Sequence, residues 1–357
     1  MRRACLALAV VLAAAGAGAG TIPFRLAANP DPLRSASLPL DLVPAAPLAP
    51  GEWHVEASLS YANLWQGTWE TPAIHQEYGR VGEPIGSDEL RELETRYPDS
   101  EMYRVDIESW RADLVVQRGL AHGLVLTAQL PWVEVGGPHW DGIAEWWHEN
   151  LSLPNADRNL FARGQAFLYG RGRGGTLELR DELLASGIGD LTVSLAAPLG
   201  SFAGADHRAV VSVDAPTGDE DTLLGSGGWD VGGRWFATWR WQTRSLVAGA
   251  GYSWLDRSGD LLGLERADLW HLIASLEQDL GKGWGLTGSF AYESSPLADF
   301  SATALGDPAA YLRLGVLAHV SERSWVALDM GQDWYGTGVS PDYAFRLTFG
   351  TGHRAAP

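Results

Sequence analysis

The sequence predicts an all-β protein, a transmembrane antiparallel up-and-down β-barrel of about 12 strands with one short helix in a long outer loop. Three observations predict it. The closing stretch Tyr343-Ala344-Phe345-Arg346-Leu347-Thr348-Phe349 alternates, with Tyr343, Phe345, Leu347 and Phe349 on one face and Ala344, Arg346 and Thr348 on the other. That pattern places apolar side chains toward lipid and polar ones toward a lumen. The N-terminus reads as an export signal, and the same alternation recurs through the chain. Seventeen tryptophans in 357 residues suit a barrel, whose indoles favour membrane–water interfaces.

Residues 1–19 read as a signal peptide. Arg2 and Arg3 form its basic region, Leu6 to Ala15 its apolar run, and Ala17-Gly18-Ala19 its cleavage site. Cys5 is the only cysteine and lies inside this segment, too early for a lipoprotein site, so the exported chain is expected to carry no disulfide or thiolate–metal site. The formal charge of −18 becomes −20 without Arg2 and Arg3, which argues against nucleic acid as a partner. No later segment is long and apolar enough for a membrane helix.

Residues 20–52 are proline-rich and lack a sustained period, which predicts a periplasmic arm or a lumenal plug. The barrel is expected over residues 53–349, followed by a tail, 350–357. Its first strand turns Trp53, Val55, Ala57, Leu59, Tyr61 and Trp65 outward and His54, Glu56, Ser58 and Ser60 inward. In the second, Met102 to Arg118, the outward phase slips at Glu108-Ser109 between Ile107 and Trp110, which predicts a bulge. Ten more strands follow: Leu124–Val135, Asp190–Pro198, Arg208–Ala215, Gly228–Gln242, Ser245–Leu255, Asp268–Asp279, Trp284–Glu293, Ala309–Val320, Ser324–Asp333 and Asp342–Phe349. With both termini periplasmic, the connections alternate: short turns at 119–123, 199–207, 243–244, 280–283 and 321–323, and longer outer loops between them. This is the barrel pattern; a soluble all-β fold is the rival reading.

The inward faces supply the candidate lumen-lining residues: Glu56, Arg104, Asp106, Asp190, Asp214, Asp230, Arg234, Arg240, Glu277, Glu293, Arg313, Asp329 and Arg346. They read either as paired polar filling or as a selective path for a solute. Twelve strands lie between filled eight-stranded and open sixteen-stranded barrels, so a narrow or plugged lumen is expected. The loop 67–101 holds nine acids and three arginines. It reads as a solvated loop or as a site for the divalent cations that bridge lipopolysaccharide.

A helix is predicted over Asp141 to Leu151. Ile143, Trp146, Trp147 and Leu151 form its apolar stripe, with Asp141, Glu145, His148 and Glu149 opposite. Ile143, Trp146, Trp147 and His148 are the candidate lid over the barrel mouth; a helix touching the interface through its tryptophans is the alternative. His148-Glu149 begins like a zinc-protease motif, but Ser152 stands where the second histidine belongs. No catalytic, metal or cofactor site is expected. The glycine clusters Gly187-Ile188-Gly189-Asp190 and Gly225-Ser226-Gly227 precede no helix, so they shape the rim rather than cradle phosphate.

The arm Ile22-Pro23-Phe24-Arg25 through Asn29-Pro30 with Leu38-Pro39, the helix with Trp147-His148 leading to Leu153-Pro154, Gly189-Asp190 opening a strand, and Ala215-Pro216-Thr217-Gly218-Asp219 before Gly225-Ser226-Gly227 carry a resemblance. The chain resembles a family of uncharacterised proteobacterial proteins, exported and predicted to form outer-membrane barrels. The resemblance implies a barrel and transfers no activity. The last motif is widespread among outer-membrane barrels thought to move small apolar compounds.

The function expected is a narrow channel or transporter for small solutes, apolar ones included. The alternatives are a structural or adhesive barrel acting through its acidic loops, and an outer-membrane lipid-modifying enzyme, for which no Ser–His pairing stands on the outward faces and no Gly-x-Ser-x-Gly motif exists. The expected partners are outer-membrane lipid and lipopolysaccharide, the barrel-assembly machinery and a small-molecule solute, in the outer membrane of a Gram-negative bacterium.

Overall fold

A computed structural model describes residues 31–35, 48–68, 77, 79, 81–83, 87–136, 140–151, 157–164, 166–172, 175–178, 185–258, 260–261, 263–302, 304–333, 341 and 343–353. The expected signal peptide, most of the arm and the last four residues lie outside them. Helix α1 (Pro32–Ser35) precedes β1 (Trp53–Gly67). Then come α2 (Ser87–Arg96), β2 (Met102–Gly119), β3 (Val125–Gly136), α3 (Asp141–Leu151), β4 (Phe167–Gly172), β5 (Gly175–Glu178), β6 (Ser186–Ile188), β7 (Leu191–Phe202) and β8 (Ala205–Ala215). The chain continues with β9 (Asp230–Arg240), β10 (Arg244–Trp254), β11 (Asp260–Leu261), β12 (Leu264–Glu265), β13 (Leu269–Gly281), β14 (Trp284–Glu293), β15 (Ala309–His319), β16 (Ser324–Asp333) and β17 (Tyr343–His353).

The sheet closes. Strand β1 pairs with β2 on one side and with β17 on the other, antiparallel throughout. Strands β6 and β7 follow one another along β3, so they count as one broken wall strand, and the barrel has twelve. Closure leaves no edge with unpaired backbone groups, which a hydrocarbon setting demands. The β2–β3, β7–β8, β9–β10, β13–β14 and β15–β16 connections are short and share one end, the turn end. The others are long and share the loop end.

Alternation explains the faces. Outward residues such as Leu59, Leu114, Val211, Leu272, Leu314 and Leu328 are exposed, and their neighbours Ser58, Asp113, Ser212, His271, Arg313 and Asp329 are buried. Exposed aromatics collect near both rims. Trp53, Phe202 and Trp241 lie at the turn end, and Trp132, Trp229, Trp254 and Trp270 toward the loop end. Two such girdles bound the apolar band of a membrane barrel.

Several boundaries differ from the sequence expectation. The last strand runs on to His353, with Gly350 opposite Glu56, so the tail 350–357 begins as wall. Strand β7 reaches Phe202 past an irregularity at Pro198/Gly200, leaving a turn of two residues before β8. Helix α2 and the β4–β5 hairpin form inside the segments 67–101 and 136–189, expected as outer loops. The expected bulge in β2 is absent: its register against β1 runs unbroken from Trp53↔Arg118 to Gly67↔Arg104.

Candidate functional site

The unbroken register of β2 has a chemical consequence. Below the rim, Arg111, Asp113 and Gln117 face inward, and Trp110, Ala112 and Leu114 face outward. Continuing the same alternation upward turns Tyr103, Val105 and Ile107 inward and Arg104, Asp106 and Glu108 outward. The slip at Glu108-Ser109 is an exchange of chemistry between faces, not an extra residue. Arg104 and Asp106 therefore do not line the lumen, as expected from sequence, but stand on the outer face of the wall. They are ion-paired at 3.2 Å and almost fully buried. The Arg104 guanidinium lies 4.0 Å from the centre of the Phe161 ring and 4.9 Å from that of Phe167. Beside them Arg158 donates to Asn63 Oδ1 at 2.8 Å.

Helix α3 belongs to the same outer flank. Tyr61 is paired across the sheet with Trp110 and Phe345, on the lipid side of β1, yet it is fully buried. Trp140 covers it, with ring centres 5.2 Å apart, and the Tyr61 and Tyr343 hydroxyls meet at 3.1 Å. Trp147 Nε1 donates to Gln332 Oε1 at 3.1 Å, and Gln332 shares the outward phase of Leu328 and Met330. These contacts hold α3 against the outside of the wall, which corrects the expectation of a lid over the mouth. Its burial cuts across the predicted faces, with Trp147 on the wall and Glu149 exposed. Glu145 and His148 are buried, with Glu145 ion-paired to Arg163, while Ile143 and Trp146 are exposed.

Inside the loop end stands an apolar cluster. The wall contributes Leu64, Tyr103, Val105, Ile107, Val133 and Val135; the loops contribute Leu168, Leu223, Leu224, Leu264, Leu297, Phe300 and Leu305; the arm contributes Leu33. The arm is pinned there by Arg34, which donates to the Ser294 carbonyl at 2.5 Å and lies 3.7 Å from Glu293 and 3.4 Å from Asp31. Burial pushes the Asp31 carboxyl up to about 6, against the pull of Arg34 and with Glu293 adding to the rise. At the turn end the arm returns: the Gly51 amide donates to the Gly119 carbonyl and the Gly119 amide to that of Glu52, both at 2.9 Å. A Cβ on Gly119 would lie 2.1 Å from the Ala49 carbonyl oxygen, so only glycine fits there.

Below the apolar cluster the lumen wall is polar on one side and apolar on the other. Asp329 lies between Arg313 (2.8 Å) and Arg346 (3.2 Å). Asp113 takes hydrogen bonds from Arg111 (3.0 Å) and Gln129 (2.7 Å). Glu56 faces His54 at 3.6 Å. Across the barrel, Val125, Ala196, Val210, Phe236, Val247 and Ile273 form an apolar strip against which Leu48 packs.

The remaining expected lining residues are mostly clamps. Asp190 fills the break between β6 and β7, accepting from the amides of Gly218 (2.8 Å) and Ser226 (2.7 Å). A Cβ on Gly225 would come within 2.5 Å of that carboxylate, which explains the glycine pattern of this rim. Asp214 accepts from Thr192 (2.6 Å), Arg234 donates to Ser212 (2.8 Å), and Glu277 accepts from Ser245 (2.8 Å). Asp230 holds Arg266 in a two-pronged pair at 2.8 and 2.9 Å, fully buried. Arg240 sits exposed at the turn-end mouth, paired to Asp206 at 2.6 Å.

Sequence reasoning passed over Arg111, Asp113 and Gln129, although their alternation with Trp110, Ala112 and Leu114 marks them as inward. It had no local signal for the contacts of Arg34 with Ser294, Arg158 with Asn63 and Arg266 with Asp230, which span 260, 95 and 36 residues.

The family comparison matches residues 92–353 to the family described as protein of unknown function (DUF3187), and the chain belongs to that family. Comparison with curated proteins returned no sequence match. Among solved structures, the chain is similar to the COG4313 outer membrane channel from Pseudomonas putida F1. The two are 12% identical with a TM-score of 0.50, over 86% of this chain and 97% of that one. This likeness establishes the fold. The toluene transporter TodX of P. putida aligns more loosely, at 7% identity and a TM-score of 0.39, over 87% of this chain and 94% of that one.

Proposed function

We propose that this protein is a narrow outer-membrane channel for small apolar solutes, closed at its outer end by a displaceable apolar plug. The loop end faces outward, the turn end faces the periplasm, and the chain arrives after export and removal of residues 1–19. Lipopolysaccharide and lipid surround the wall, and the barrel-assembly machinery inserts it.

The observation that carries this reading is the reversal of β2 at the mouth. A water-filled pore needs polar groups facing its entrance. Here the entrance presents Tyr103, Val105, Ile107, Val133 and Val135, met by leucines and a phenylalanine from the loops and by Leu33 of the arm. A polar solute crossing this layer would lose its water with no hydrogen-bond partner in return. An apolar solute would exchange one apolar contact for another. The reading also fits the fold shared with the P. putida F1 outer membrane channel and the transport of toluene by the more loosely aligned TodX.

The close packing of this layer supports a second reading, a structural or adhesive barrel acting through its long loops. Flux separates the two. Proteoliposomes with the wild-type protein should take up a small apolar solute faster than protein-free vesicles and faster than they take up a sugar of similar size. Replacing Leu33 by Asp, which expels the arm from the apolar layer, should raise that rate several-fold. No uptake by either protein would leave the structural reading.

A further inference from the structure

The turn-end mouth holds a cavity of about 250 Å³, lined by Pro198, Ser201, Asp206, Arg208, Phe236, Thr238 and Arg240 among others. We infer that this cavity is a binding site for the carboxylate of a small apolar acid, with Arg208 as its anchor. The inference builds on the channel reading and specifies its solute class.

The charge count on the lining is uneven. Two guanidiniums, Arg208 and Arg240, face one carboxylate, Asp206. Asp206 is already engaged on both oxygens: Oδ1 accepts from the Ser201 hydroxyl at 2.6 Å, and Oδ2 from Arg240 Nη1 at 2.6 Å. Glu277, further round the wall, accepts from Ser245 at 2.8 Å. Nη1 of Arg208 is buried and has no hydrogen-bond partner among the described residues. A buried guanidinium N–H without an acceptor is costly, and a planar carboxylate is the group its fork fits best.

The remaining lining sets the other end of the ligand. Arg208 stands directly across the sheet from Pro198 on one strand and Phe236 on the other, and Phe236 joins the apolar strip of Val125, Ala196, Val210, Val247 and Ile273. A ligand whose carboxylate meets Arg208 thus has an apolar surface for its body. The size suits a molecule like benzoate better than a long-chain fatty acid, which would overfill it. A small acid of this kind meets both demands: its neutral, protonated form crosses the apolar mouth, and its carboxylate, the proton released to water, is caught at the inner end.

Binding measured on the refolded full-length barrel in detergent micelles tests this without any need for flux. Isothermal titrations would use benzoate, benzyl alcohol and benzylammonium. The expected order is benzoate first, with the alcohol weaker by about tenfold or more, the loss of one charge-assisted hydrogen bond, and no binding of the amine. Arg208→Gln should cost benzoate about tenfold, and Arg208→Lys should restore part of it. Asp206→Asn, which removes the competing charge, should tighten benzoate, an outcome that misfolding cannot imitate; unchanged heat-modifiable mobility on gels would verify closure of each variant. Equal affinity for the three ligands, an unaltered Arg208→Gln, or Asp206→Asn without tightening would overturn the site. Benzoate binding without uptake in vesicles would keep the site and remove the channel.

Discussion

The two halves of β2 obey one alternation and opposite chemistry. From Trp110 to Val116, Trp110, Ala112, Leu114 and Val116 face out and the charged Arg111 and Asp113 face in. From Met102 to Glu108, Tyr103, Val105 and Ile107 face in, and Arg104, Asp106 and Glu108 face out. The difference lies in what each face meets. The lower outward face is exposed at the level of the lipid band. The upper one is covered by Phe161, Phe167, Arg158 and Trp140, whose amide donates to Glu108; these supply ring faces and polar groups that hydrocarbon lacks. A strand therefore takes its polarity from its surroundings on each side.

The largest expected effect comes from the upper half. Arg104→Ala leaves Asp106 buried without the guanidinium at 3.2 Å, and should destabilise the folded barrel by about 3–5 kcal/mol. The urea midpoint of the reconstituted protein would measure this. Replacing both Arg104 and Asp106 by apolar residues of similar size should cost far less. If the double variant is as unstable as the single one, the covered outer face is not an apolar setting and the contrast with the lower half fails.

Asp190→Ala comes next, since it removes the acceptor for the amides of Gly218 and Ser226. A cost of about 1–3 kcal/mol is expected, together with faster amide exchange confined to residues 215–228. Exchange unchanged in that segment would mean that the rim loop is held by other contacts.

A third prediction concerns the arm. The Asp31 carboxyl sits at about 6 in the docked arm, above the usual 3.8. The neutral form therefore favours docking. This contribution is complete below the unfolded value and is lost as pH rises through about 6. The docked arm should resist proteolysis better at pH 5 than at pH 8, and Asp31→Asn should abolish the difference. A pH dependence that persists in Asp31→Asn would assign it to another group.

The smallest effect is expected on the outer flank. Trp146 and Ile143 are exposed on α3, so Trp146→Ala should alter stability by no more than about 0.5 kcal/mol. Loss of tryptophan quenching by brominated lipid in that variant would place the helix in the outer leaflet; equal quenching would place it above the membrane.

Most of the wall was legible because a barrel strand writes its two environments into alternate residues. Trp284–Glu293 and Ser324–Asp333 match their predicted limits, and α3 forms over the predicted Asp141–Leu151. The candidate lining was less legible. Asp214, Asp230, Arg313, Asp329 and Arg346 do face inward, but Arg104 and Asp106 do not. A pattern of apolar and polar residues states that two faces differ, without stating which one is the lumen. The same ambiguity misplaced α3: of its apolar stripe, Ile143 and Trp146 point away from the protein while Trp147 reaches the wall.

By itself, the amino-acid sequence determined the number of wall strands, their antiparallel order and the alternation of short and long connections. Period-two patterning and turn chemistry are local properties. Only the tertiary structure decided which face of upper β2 looks inward, which cation meets each carboxylate, and where Arg208 is left facing a cavity. Those outcomes depend on groups as far apart in the chain as Arg34 and Ser294, brought together by closure of the barrel. Local sequence carries no record of that distance.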